Sequence, residues 1–331
     1  MQTPHCSFQR TIPVVTLLLF AMLVNPTAFA GQYDPLASNL SCKTSDEQFT
    51  YDGRTVPIRL YLPVSDEASP VVLLSHGLGG TRESCGYLGR HWASRGYAVI
   101  AMQHAGSDVE VIRSASLFRK FQVLKKAANA TNAKARYADV KATIDFLETM
   151  NRSGERYAGK FDLSKIGMSG HSFGAITTQA VSGQNYSFQG QAHTDKRIDA
   201  AVALSPSPPS FGRGDDSFSK VAIPWMLMTG TKDDSPIGRG GDADSRRKVF
   251  EGLPSSGHFY ELVLDEAEHA AFGDTGRLNA RKRNPNHHKA IQSLSTAFWD
   301  TYLKQDVSAK EWLRSSDAKS CLEPGDQWQT K

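Results

Sequence analysis

Short apolar runs alternate with amphipathic stretches along most of this chain. Gln48-Phe49-Thr50-Tyr51 and Val56-Pro57-Ile58-Arg59-Leu60-Tyr61-Leu62 flank Asp52-Gly53, which reads as a hairpin closed by a tight Asp-Gly turn. Val71-Val72-Leu73-Leu74 is apolar without interruption, as a strand buried on both faces must be. Residues 84–95 fit a helix, and Tyr97 to Met102 the next strand. Tyr137, Val140, Ile144 and Leu147 recur at helical spacing, which predicts an amphipathic helix over 136–150. Further strands are expected at 165–169, 199–204, 225–229 and 259–264, and helices at about 174–183, 243–251 and 287–303. Residues 31–44 read as an irregular lead-in. A hairpin followed by alternating strands and helices implies an α/β fold, a mostly parallel central sheet with helices on both faces. No linker is long enough to divide residues 31–331, so they are expected to form one domain.

The length of 331 residues suits one large α/β domain. The net charge of +4 is too small to imply a nucleic-acid partner. Residues 1–30 read as a secretory signal peptide: Arg10, an apolar run from Val14 to Val24, then Ala28-Phe29-Ala30 as a small-x-small cleavage site. The apolar run is short for a membrane span and no second one follows, so no stable membrane insertion is expected. The mature chain would begin near Gly31 and work in a secreted or periplasmic setting. Cys6 leaves with the signal, and Cys42, Cys85 and Cys321 remain. In an oxidising compartment one bridge and one thiol is the simplest arithmetic, and Cys42–Cys321 is the favoured pair because chain ends often lie close together.

The chemistry is concentrated at Gly170-His171-Ser172-Phe173-Gly174, a G-x-S-x-G pattern between a strand and a helix. A serine at such a turn projects from the sheet edge and sits at a helix N-terminus, where amides favour a developing negative charge. Its hydroxyl is a weak nucleophile and needs a base within reach. In a strand–turn–helix setting of this kind the partners follow in the order serine, acid, histidine. Asp233, in the loop after the strand at 225–229, is the expected acid, and Asp234 is the alternative. His269, after the last strand, is the expected base; His258 lies at the other end of that strand, and His287 and His288 read as surface residues. An oxyanion needs donors, and the backbone amides of Phe173 and Leu78 are assigned to it. Leu78 lies in the loop Ser75-His76-Gly77-Leu78-Gly79-Gly80, which lacks the lysine of a phosphate-binding loop.

That loop, with Trp92-Ala93-Ser94-Arg95-Gly96-Tyr97, His104-Ala105-Gly106-Ser107-Asp108 and the pentapeptide around Ser172, resembles the platelet-activating-factor acetylhydrolase and dienelactone-hydrolase-like group of α/β-hydrolases. The resemblance covers about residues 48 to 303 and weakens between 110 and 135 and beyond 275. It implies an α/β-hydrolase fold and a serine esterase with no metal or organic cofactor. It also implies backbone donors at Leu78 and Phe173. Dienelactone hydrolases proper carry a cysteine nucleophile; Ser172 stands there in this chain, which favours ordinary ester hydrolysis of small-molecule or lipid esters. An amide or polyester substrate, or a binding role without catalysis, are the alternatives. Phospholipid specificity does not carry over.

Arg213-Gly214-Asp215 matches an adhesion tripeptide and is read as coincidence. Asp215, Asp216, Asp242 and Asp244 lack calcium-loop spacing. The basic stretches 113–136 and 277–289 read as solvated faces; if they flank the mouth of the site they would attract an anionic or polymeric substrate.

Overall fold

The computed structural model describes residues 1–2, 33–208, 216–238, 241–274 and 284–331. The expected signal peptide, the Arg-Gly-Asp tripeptide with Asp215, and the basic residues Arg277, Arg281, Lys282 and Arg283 lie outside the described residues. Asp34–Lys331 forms one compact unit.

Two strands, β1 (Cys42–Tyr51) and β2 (Arg54–Pro63), form the expected hairpin. Asp52 and Gly53 turn it with positive φ of 44° and 74°, the twist that a two-residue connection needs. The strand β1 begins at Cys42, inside the stretch expected to be irregular. Five parallel ladders follow, built from β3 (Ser69–Ser75), β4 (Ala98–Met102), β5 (Phe161–His171), β6 (Ile198–Leu204), β7 (Trp225–Lys232) and β8 (Phe259–Glu268). A short antiparallel strand, β9 (Gln327–Thr330), closes the far edge against β8. The strand order is β1-β2-β4-β3-β5-β6-β7-β8-β9. This is the α/β-hydrolase arrangement: a mostly parallel sheet with helices on both faces.

Side chains alternate across the sheet. Val71, Leu73, Ile100, Ile166 and Met168 pack on one face with Tyr137, Val140, Ile144 and Leu147 of α4 (Ala130–Met150) and with Ala180 and Val181 of α5 (Phe173–Val181). On the same side, Val249 and Phe250 of α6 (Ala243–Glu251) pack on Ala201, Ala203 and Leu227. The other face takes α1 (Gly86–Ser94) and α7 (Pro285–Tyr302), whose Trp92 and Trp299 meet edge to face at 5.8 Å between ring centroids. Before α4 the chain makes the short α2 (Glu110–Arg113) and the basic α3 (Leu117–Ala127). After α7 comes α8 (Val307–Arg314).

The expected disulfide is absent. Cys42, Cys85 and Cys321 are all thiols. Cys42 begins β1 at one edge of the nine-stranded sheet, whereas Cys321 closes a short 3₁₀ helix, Ser316–Cys321, and donates to the Ala318 carbonyl. The first and last strands lie at opposite edges of a wide sheet, so the usual closeness of a domain's ends fails as a guide. His287 is also not a surface residue: it is buried, and its Nε2 donates to the Asp265 carbonyl at 2.9 Å.

Candidate active site

Strand β5 passes into α5 through Ser172, whose backbone has φ 59° and ψ −114°. A non-glycine residue pays for that conformation, on the order of 1–3 kcal/mol. The turn closes only because its flanks are glycine. A Cβ on Gly170 would stand 2.4 Å from the Gly174 carbonyl oxygen, and one on Gly174 would stand 1.9 Å from the Ser75 carbonyl oxygen.

Ser172 Oγ lies 2.8 Å from His269 Nε2, and His269 Nδ1 lies 2.7 Å from Asp233 Oδ1. Three elements converge there: the end of β5, the loop after β7, and a 3₁₀ helix, His269–Phe272, after β8. All parallel strands point their C-terminal ends to this side, which is where open α/β sheets present their crevice. Asp233 is fully buried, and Thr229 Oγ1 donates to its second oxygen at 2.9 Å. Nδ1–H of His269 therefore donates to Asp233, and the Nε2 lone pair faces the serine hydroxyl. Asp234 is exposed and accepts instead from the Ala243 amide, so the structure brings Asp233 to His269 and leaves Asp234 outside. His171 donates from Nε2 to the His269 carbonyl at 3.0 Å, tying the turn to the imidazole's own backbone.

The loop Ser75 to Gly80 lies against the serine. A Cβ on Gly77 would come within 3.5 Å of Ser172 Cβ. Phe173 is the first residue of α5, so its amide has no acceptor within the helix. Among the described residues the Leu78 amide meets no backbone carbonyl. The Gly77 carbonyl accepts from the Gly80 amide and from His76 Nδ1, at 3.0 and 2.6 Å. Because the peptide is planar and trans, fixing that carbonyl fixes the opposed Leu78 N–H.

Two buried arginines support the site, and neither carries a mark in the sequence. Arg136 lies in a stretch expected to be a solvated basic face, yet it is completely buried. It donates to the His76 carbonyl at 2.7 Å and to Ser107 Oγ at 2.8 Å, and stacks 4.4 Å from the Phe173 ring centroid. Arg246 of α6, 2% exposed, donates to the carbonyls of Asp233, Ser205 and Pro206. Burial lowers the affinity of both guanidinium groups for their protons, that of Arg136 to about 9. No periodicity marks such residues; only tertiary packing identifies them.

The serine opens on a cleft of about 2160 Å³. Leu78, Phe121 and Leu124 line part of it, and Tyr137, Tyr186 and Phe188 another part. Lys120 and Lys134 stand at the same cleft. Among the described residues no cluster of three His, Cys, Asp or Glu side chains is arranged to hold a metal ion. Asp242 caps α6 by accepting from the Ser245 amide. Among the same residues no helix is long and apolar enough to cross a membrane.

The model of the family "Platelet-activating factor acetylhydrolase, isoform II" matches residues 56–156, from β2 through α4. A platelet-activating factor acetylhydrolase of Cavia porcellus is 22% identical over 293 residues, spanning 79% of this chain and 64% of that protein. The family match takes in strands β2, β3 and β4 of the sheet. The chain belongs to the α/β-hydrolase superfamily. The matched family segment carries the loop of Leu78 and the buried Arg136, and it ends before Ser172. Within this superfamily the crevice and the hydrogen-bonded serine are compatible with hydrolysis of an ester or amide.

Proposed function

We propose that this chain is a serine hydrolase that cleaves carboxylic esters through Ser172, His269 and Asp233. The observation that carries the reading is the continuous hydrogen-bonded line from Ser172 Oγ through His269 to Asp233 at 2.8 and 2.7 Å. Ser172 Oγ attacks the ester carbonyl carbon while His269 Nε2 takes the hydroxyl proton. The carbonyl oxygen becomes an oxyanion and accepts from the amides of Leu78 and Phe173. The C–O bond to the alcohol then breaks, and His269 returns the proton to the departing oxygen. Water attacks the resulting acyl-enzyme by the same route, with His269 again as base, and releases the acid. Asp233 holds the imidazole in the required tautomer and stabilises its charged form. No step calls for a metal or an organic cofactor.

The similarity to an acetylhydrolase makes acetyl esters the first substrates to try. The volume of the cleft and its aromatic lining support a bulky apolar group beside the ester, so lipid and polyester substrates follow. Export by cleavage near Gly31 is part of the same proposal and rests on the residue pattern of positions 10–30.

A fluorophosphonate probe tests the reading directly. Stoichiometric labelling of the native protein is expected, with none on Ser172→Ala. A chain-length series of p-nitrophenyl esters then sets the acyl preference. Absence of labelling together with absence of turnover would replace the enzyme with a binding protein of the same fold.

A further inference from the structure

Arg136 is a fully buried cation, and among the described residues no carboxylate stands within salt-bridge distance of it. Two buried carboxylates act on it from further off, Asp139 and Asp108, and their own hydrogen bonds go elsewhere: Arg54 Nε donates to Asp139 at 2.6 Å and His104 Nδ1 at 2.8 Å, and Gln103 Nε2 donates to Asp108 at 2.9 Å. A buried charge satisfied only by neutral acceptors costs stability. Its contacts show what that cost supports. One guanidinium nitrogen takes the His76 carbonyl, and another takes Ser107 Oγ. The His104 amide donates to His76 Nε2 at 3.0 Å, which places the His76 proton on Nδ1, where it is given to the Gly77 carbonyl. Burial first, and then the adjoining Arg136 charge, hold that imidazole well below its usual proton affinity, so it stays neutral and keeps this tautomer. The chain of contacts thus runs from Arg136 through His76 to the Gly77–Leu78 peptide plane. The same guanidinium lies over the ring of Phe173, the residue that bears the second amide.

We infer that Arg136 is a positioning residue for the oxyanion site: it sets the Leu78 peptide plane through His76, braces Phe173, and supplies positive charge behind both amides. This rests on the reading of Ser172 as nucleophile. A cation in a dry interior favours an anion formed nearby more strongly than it favours the neutral ester, so its effect should fall on the chemical step.

The test compares full-length wild type, Arg136→Met and Arg136→Lys. Steady-state kinetics with p-nitrophenyl acetate are measured beside inhibition by phenylboronic acid, which forms a tetrahedral anionic adduct with a serine. For Arg136→Met, kcat should fall about 100-fold, in line with loss of an oxyanion donor, while KM stays within about threefold. Boronate affinity should weaken in parallel with kcat. Arg136→Lys keeps the charge and loses the planar fork, and should recover about tenfold of the loss. If thermal melting shows Arg136→Met unfolded, the lysine variant decides, with kcat down about tenfold at unchanged KM. A folded methionine variant with kcat within threefold of wild type overturns the inference. So does a loss confined to KM, or an unchanged boronate affinity. Fluorophosphonate labelling separates the two readings: an unlabelled wild type removes Ser172 as nucleophile, and this inference with it. A labelled wild type with unaltered Arg136 variants removes this inference alone.

Discussion

Arg246 Nε lies 3.2 Å from Asp233 Oδ1, the same oxygen that accepts from His269, and both side chains are buried. A second guanidinium nitrogen stands 3.3 Å from His269 Nδ1. The acid is thus held from behind by a cation that also grips three backbone carbonyls around it. Arg246→Met should remove one partner of a buried pair and leave those carbonyls unmet. The expected loss is about 3–5 kcal/mol of unfolding free energy. Urea unfolding reads it directly; a loss under about 1 kcal/mol would mean that solvent or a neighbour satisfies the site without the arginine.

Asp233→Asn should lower kcat by about 10⁴-fold, because an asparagine no longer fixes the imidazole in its working tautomer. Asp234→Asn should stay within about tenfold, since that carboxylate is exposed and serves the Ala243 amide. Steady-state rates on one p-nitrophenyl ester suffice, and the opposite ranking would move the acid's role to Asp234.

Gly174→Ala tests the turn by sterics alone. The added methyl would meet the Ser75 carbonyl oxygen at 1.9 Å, backbone against backbone, with no side chain able to yield. A destabilisation of about 3 kcal/mol or more is expected, together with loss of fluorophosphonate labelling. Wild-type melting and labelling in the alanine variant would show that the turn does not need this approach.

Stability should fall with acid through three buried histidines, His76, His91 and His104. His104 and His91 are held down to about 4, in each case first by burial and then by a neighbouring arginine. In the unfolded chain a histidine titrates near 6.5. Between these values the unfolded state carries a proton that the folded state refuses, so stability is complete above about pH 6.5. It declines as pH drops from there to about 4, by at most about 3 kcal/mol per histidine. Below that, His91 and His104 add no further loss. Urea midpoints at pH 7, 5.5 and 4.5 measure the slope. His91→Gln, which can keep a hydrogen bond to Thr296, should flatten it by about a third. An equal slope in that variant would assign the acid response to other groups.

Lys120 and Lys134 at the cleft should speed anionic esters selectively. At 0.1 M salt the screening length is about 10 Å, so kcat/KM for an anionic ester should fall as salt rises while that for a neutral ester stays level. The double variant Lys120→Gln, Lys134→Gln should lose this difference. Equal salt responses in the wild type would leave both lysines as solvated surface.

Much of this fold is legible because burial writes itself into periodicity. Val71 to Leu74 and Trp225 to Thr229 sit in doubly covered strands, and their unbroken apolar runs say so. Ser172 was recognisable because glycines must stand where backbone meets backbone. The order of acid and histidine along an α/β sheet then pointed to Asp233 and His269. What escaped has a common physical character. Gln327-Trp328-Gln329-Thr330 is a polar edge strand, paired on one side, and carries no alternation strong enough to notice. Arg136 and Arg246 look like any surface arginine, because their burial depends on acceptors far away in sequence. The expected pairing of Cys42 with Cys321 rests on the usual closeness of chain ends, and a nine-stranded sheet with its first and last strands at opposite edges breaks that habit.

The left-handed backbone at Ser172 has an evolutionary price tag of its own. Glycine would adopt φ 59° without the penalty that serine carries, so Ser172→Gly should raise the melting temperature while deleting the hydroxyl. A library of this chain sorted only for heat resistance would drift toward glycine at that position and yield hardier, silent proteins. Any engineering for robustness must therefore select on turnover in the same round.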